Sequence, residues 1–146
     1  MNNDQYTAFE TPFRATARPL IERLRELLTE MGHGPFNDVA VVDLDVDRGL
    51  GFEAVDDPEQ YVQLMLLDGD EYGYEGVALN MTCSIVPGGQ VWAPGNFTSS
   101  VGMTTVEALL ERLATFEPGE AALAISSHWA DRQAGRETRV EGFRFT

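Results

Sequence analysis

Val39-Ala40-Val41-Val42-Asp43-Leu44-Asp45-Val46-Asp47 passes from a β-branched apolar run into strict alternation. A period of two places Val42, Leu44 and Val46 on one face and Asp43, Asp45 and Asp47 on the other, which is the pattern of a strand with one wet face. A strand here, with helical periodicity before and after it, decides the fold class. Gly49 and Gly51 interrupt the run, residues 50–55 pair back as a second strand, and Asp56-Asp57-Pro58 turns the chain again. Residues 61–67 form a mostly apolar strand placed centrally in the sheet. Residues 77–86 form the next long strand, with 90–93 as its hairpin partner after Pro87-Gly88-Gly89.

On the N-terminal side, Leu20, Ile21, Leu24, Leu27, Leu28 and Met31 recur as one apolar helical stripe. Pro19 suits the first turn of that helix, and Gly32-His33-Gly34-Pro35 ends it. The first fifteen residues, with Phe9, Pro12 and Phe13, carry no clear period and are assigned to an arm or a short helical turn.

On the C-terminal side, Thr104 and Glu107 fit a capping box ahead of the stripe Val106, Leu109, Leu110, Leu113 and Phe116, and Pro118-Gly119 stops this second helix. Residues 121–129 are rich in alanine and compatible with a helix. The alternation of Leu123, Ile125, Ser127 and Trp129 favours a strand, and 138–145 then close a terminal hairpin. The order of elements predicts an α+β fold: an antiparallel sheet of about six to seven strands with two helices packed on one face, in one domain spanning residues 1–146.

Ten basic residues, all arginine, stand against 24 acidic ones in 146 residues, a formal charge of −14. That balance excludes nucleic acid and anionic membranes as partners and favours a basic protein partner. Lysine-free acidic chains also arise from GC-rich coding DNA or from life in concentrated salt, so habitat is a second explanation of the charge. No apolar run is long enough to span a membrane and the first seventeen residues are too polar for a signal peptide, which points to the cytoplasm. A single cysteine, Cys83, rules out an internal disulfide or a cysteine metal cluster.

Asp43, Asp45 and Asp47 begin like a calcium loop, but that loop needs glycine at its sixth position and glutamate at its twelfth, where this chain has Arg48 and Ala54. Alternate carboxylates on a strand stand about 7 Å apart, too far to share one ion without a third group. Neither a metal nor a cofactor is expected, and a Mg²⁺- or Mn²⁺-dependent hydrolase on this strand is the enzymatic alternative. Cys83 alternates with Met81 and Ile85 on a buried face, where an apolar setting makes a thiol inert. His33 is assigned to capping the end of its helix, and His128, pointing away from Trp129, to the surface. Ser99, Ser100, Ser126 and Ser127 sit in no activating motif, so no catalytic residue is assigned.

The loop 68–75 sets Asp68, Asp70, Glu71 and Glu75 around Tyr72 and Tyr74, with Trp92 in a second aromatic stretch. Carboxylates steer and align a cationic partner, and tyrosine supplies contact area at low entropic cost. These seven residues are the candidate partner-binding set. In size and charge the chain resembles bacterial immunity proteins, and the resemblance implies a non-catalytic protein that covers the basic surface of a toxin. Phage tail-completion proteins are similar in their order of elements. Acidic secretion chaperones share the charge and a helix followed by strands, but the final helix they usually carry is missing from this reading.

Overall fold

The computed structural model describes residues 1–83, 96–98 and 102–135. It opens on a 28-residue helix, α1 (Asn3–Glu30), capped by Asn2, whose Oδ1 accepts the Gln5 N–H while the Gln5 side chain accepts the Asn2 N–H. The stretch assigned to an arm is therefore the first half of α1. Its buried stripe, Tyr6, Glu10, Phe13, Ala17, Ile21, Leu24 and Leu28, steps by three and four without a break. A glutamate and an alanine in that stripe hid the period. Pro12 and Pro19 lie inside the helix. The carbonyls they leave without an N–H donor belong to Ala8 and Ala15, both exposed, so water can satisfy them.

The sheet is a meander with strand order β1-β2-β3-β4-β5, every neighbouring pair antiparallel. Its strands are β1 (Ala40–Leu44), β2 (Asp47–Glu53), β3 (Tyr61–Asp68), β4 (Val77–Thr82) and the three-residue β5 (Asn96–Thr98). The central place expected for 61–67 is where β3 lies. One face, made by Leu50, Phe52, Val62, Leu64, Leu66, Val77, Leu79 and Met81, joins the helical residues in one apolar core. The opposite face holds a smaller cluster of Met65, Leu67 and Ala78 with Val42 and Tyr74.

Two further helices complete the layer on the core face: α2 (Val106–Ala114) and α3 (Pro118–Gln133), each packed against α1. Thr105, not Thr104, caps α2, its Oγ1 accepting the Ala108 N–H at 3.1 Å. The strand expected at 121–129 is the middle of α3. Helical phase buries Ala121, Ala122, Ala124, Ile125, His128 and Trp129 together and turns Leu123 outward, 65 % exposed. Alanine favours the helix at no cost in side-chain entropy, and Pro118 begins it at N1 instead of merely ending α2. Among the described residues there are thus three helices, four strands of five or more residues and one short strand, in place of two helices and six to seven strands. The expected strands at 90–93 and 138–145 lie outside the described residues. No described helix is long and apolar enough to cross a membrane.

Candidate functional site

The alternating stretch 39–47 is not one strand. Leu44 pairs with Asp47 across a two-residue turn of Asp45 and Val46, so the chain reverses inside the aspartate run. Asp45 takes a left-handed φ of 68°, which aspartate tolerates better than most residues, and its N–H is held by Asp43 Oδ1 at 3.2 Å. The reversal separates the three carboxylates. Asp43 lies opposite Arg48, Asp45 projects from the turn, and Asp47 is buried at the start of β2. The premise of a shared carboxylate face, on which the hydrolase alternative rested, is therefore overturned. Among the described residues no group of three His, Cys, Asp or Glu side chains converges on a metal position. Leu44 and Val46, expected on the inner face, are exposed.

Loop 68–76 sits beside this turn, because the register of β2 with β3 sets Arg48 across from Leu66. Asp68 caps a single 3-10 turn, Gly69–Tyr72, by accepting the Asp70 N–H at 3.1 Å, and Gly73 ends the turn in the left-handed region. Gly76 has φ +78°, and a Cβ there would lie 1.9 Å from the Met103 carbonyl oxygen, so only glycine lets the loop close against that strand-like segment. The buried Asp47 carboxylate ties turn and loop together. One oxygen accepts the Asp68 N–H at 3.1 Å and the other the Tyr72 hydroxyl at 2.5 Å. That hydrogen bond, with some burial, pushes the Tyr72 phenol up to about 12.

Of the predicted binding residues, Asp68 and Asp70 face the Met1 ammonium, which contacts the Asp70 carboxylate directly and lies 3.6 Å from that of Asp68. Tyr74 packs on the small cluster of Met65, Leu67 and Ala78 instead of standing free. Glu71 and Glu75 project outward, and Tyr72 keeps half its surface exposed despite its bonded hydroxyl. Trp92 lies outside the described residues.

A second polar set supports the same end from the core side. The Tyr6 hydroxyl donates to the Leu66 carbonyl at 2.7 Å and accepts the Arg48 N–H at 2.9 Å, and burial pushes this phenol up to about 12. Glu10 receives Arg48 at 3.0 Å and Arg14 at 2.6 Å. Sequence reasoning missed Tyr6, Glu10 and Arg48. The available signal was the i, i+4 pair Glu10–Arg14 inside what had no recognised period. Together the turn and loop gather Asp43, Asp45, Asp47, Asp68, Asp70, Glu71 and Glu75 at one end of the sheet, facing only Arg48 and the Met1 ammonium among the described cations.

The nucleophile candidates are placed elsewhere. Cys83 is fully buried, burial pushes its thiol up to about 12, and its carbonyl accepts the Trp129 indole N–H at 2.7 Å. His128, expected at the surface, is buried in the α3 interface, and its pKa is lowered chiefly by that burial. His33 does not cap α1 with its ring. Its Nε2 meets Ser126 Oγ at 2.7 Å and the ring sits edge-on to Trp129, so it links the end of α1 to α3. Burial lowers its pKa and favours neutral imidazole.

Comparison of the chain with protein-family models, with curated proteins and with solved structures finds no match.

Proposed function

We propose that the protein is a small acidic binding protein without catalytic activity that engages a basic protein partner, in the manner of a cytoplasmic bacterial immunity protein. The observation that supports this reading is the acidic end of the sheet, where carboxylates from two separate segments converge on a backbone held by Asp47, Tyr6 and Glu10. Anionic groups fixed before encounter lose little conformational freedom on binding and steer a cationic surface over about 10 Å in 0.1 M salt. Glu71, Glu75, Asp45 and the exposed face of Tyr72 are the contact set; Asp68, Asp70 and Tyr74 position it. The helices after the sheet remove the topological objection to an acidic secretion chaperone, which becomes the second reading.

The test compares the native protein with an Asp45→Asn, Glu71→Gln, Glu75→Gln variant as baits in lysate of the source organism at low and high salt. A basic protein retained by the native bait at low salt, released by high salt and lost from the variant is the expected result. Equal retention by both baits would sink the proposal.

A further inference from the structure

β1 is the outer strand of the sheet, and among the described residues no strand pairs with its free edge. Such edges are normally blunted by lysine, proline or a bulge, because they present a row of unpaired backbone donors and acceptors. β1 (Ala-Val-Val-Asp-Leu) carries a single charge, Asp43, and no proline, and its Val41 and Leu44, with Val46 beyond, are each about half exposed. Next to it, on the face away from the helices, lies a cleft of about 200 Å³. Gly51, Val42, Tyr61, Asp38 and Glu53 are among the residues that line it, and Asp38, itself exposed, lies 3.8 Å from the guanidinium of Arg25. Two carboxylates, an aromatic ring and an apolar wall are the surroundings that suit a guanidinium on an aliphatic stem.

We propose that β1 is a docking edge that takes an extended basic segment of a partner protein as an added strand, with one arginine side chain seated in the Gly51 cleft. The inference rests on the basic-partner reading and deepens it. Backbone pairing supplies affinity, and alternate side chains supply selection. The segment carries basic residues on the cleft face and apolar ones on the other, where they cover the half-exposed Val41, the neighbour of core-facing Leu50. A second copy of this chain is a poor occupant. Each copy has a formal charge of −14, so two copies repel as they approach.

The test uses the full chain and a capped nine-residue peptide alternating arginine and valine, compared with the same peptide N-methylated at every second residue and with an arginine-to-glutamate version. Anisotropy gives affinity, and amide exchange locates the contact. The expected results are binding by the first peptide, at least tenfold weaker binding by the other two, and slowed exchange in β1. An Asp38→Asn, Glu53→Gln variant is expected to bind about tenfold more weakly, while Glu71→Gln, Glu75→Gln changes affinity for this short peptide less than threefold. Three results would overturn the inference: equal binding of the N-methylated peptide, protection confined to loop 68–76, or sedimentation showing that the chain fills the edge with a second copy. Protection at the loop alone would leave the acidic-end reading standing, which separates the two failures.

Discussion

Tyr72→Phe removes one oxygen from the molecule and one of the two hydrogen bonds that the Asp47 carboxylate accepts from loop 68–76. Asp47 is 5 % exposed while Tyr72 is 48 % exposed, so water can reach the phenol side of the bond but not surround the carboxylate. A hydrogen bond to a charged group contributes about 1.5–3 kcal/mol, and partial replacement by water puts the loss near the lower end, about 1.5 kcal/mol. For a chain of this size that lowers the melting temperature by about 4–6 °C. Double-mutant analysis with Asp47→Asn isolates the pair, with a coupling of about 1 kcal/mol expected. The pH dependence gives an independent check. Because the folded phenol titrates near 12, above its ordinary value of 10, the fold prefers the protonated form. Its contribution is intact below pH 10 and is lost as pH rises through about 12. Tyr72→Phe should flatten that alkaline decline, leaving the part due to Tyr6, which also titrates near 12. An unchanged melting temperature together with an unchanged alkaline profile would refute the claim that Asp47 and Tyr72 lock turn to loop.

Cys83→Ala should cost about 1–2 kcal/mol, and the native thiol should resist labelling without denaturant, since it is fully buried and titrates near 12; rapid labelling would place it at the surface. Gly76→Ala should lose about 2–4 kcal/mol in denaturant melts because its Cβ collides with Met103 backbone at a positive φ. Asp45→Gly should stay within about 0.5 kcal/mol of the native protein while Asp45→Val loses about 1–2 kcal/mol, a contrast that reports the left-handed turn. Burial lowers the pKa of His33 and of His128, so the fold prefers both neutral; their contribution is present above pH 6.5 and lost as pH falls through the lower folded values. His33→Gln, which can still bond Ser126, should therefore soften the loss of stability between pH 7 and pH 5, as read from urea midpoints.

The sheet was legible because its central strands are apolar on both faces and punctuated by glycine and aspartate. The placement of residues 61–67 followed from their apolar run and flanking turns, whereas the return strand expected at 50–55 starts at Asp47 and holds Gly49 and Gly51 inside it, because the chain already reverses at Asp45 and Val46. Both ends of the chain misled for opposite reasons. In α1 a buried Glu10 and small Ala17 diluted the apolar stripe, and Pro19 suggested a first turn, although the helix runs through both prolines because the carbonyls they leave without a donor, those of Ala8 and Ala15, belong to exposed residues. In α3, Leu123, Ile125 and Trp129 mimicked alternation, although alanine at 121, 122 and 124 already satisfied a helical face of small residues. Period-two evidence over seven residues is weaker than helix-favouring composition over sixteen. The aspartate run misled at one residue. Asp45 entered the left-handed region, turned the strand back, and converted a presumed carboxylate face into three different environments.

That reversal also explains why the acidic loop could be read from sequence while its use could not. Charge and tyrosine content identify residues 68–75, but they do not say which carboxylates the fold consumes. Asp47 is spent inside, on a backbone N–H and a phenol; Glu10 is spent on two arginines; Asp68 and Asp70 lie against an ammonium group. Each of these pairings depends on residues more than twenty positions apart or on the opposite layer, Glu10–Arg14 excepted, and no local pattern encodes them. Asp45, Glu71 and Glu75 remain outward without an ion pair among the described residues, while Asp43 and Asp70 are outward but paired with Arg48 and the Met1 ammonium, and the backbone that carries them is fixed by the internal carboxylates. The proposed recognition surface draws on this anchoring, because carboxylates on a backbone fixed before encounter lose little conformational freedom when a cationic partner arrives.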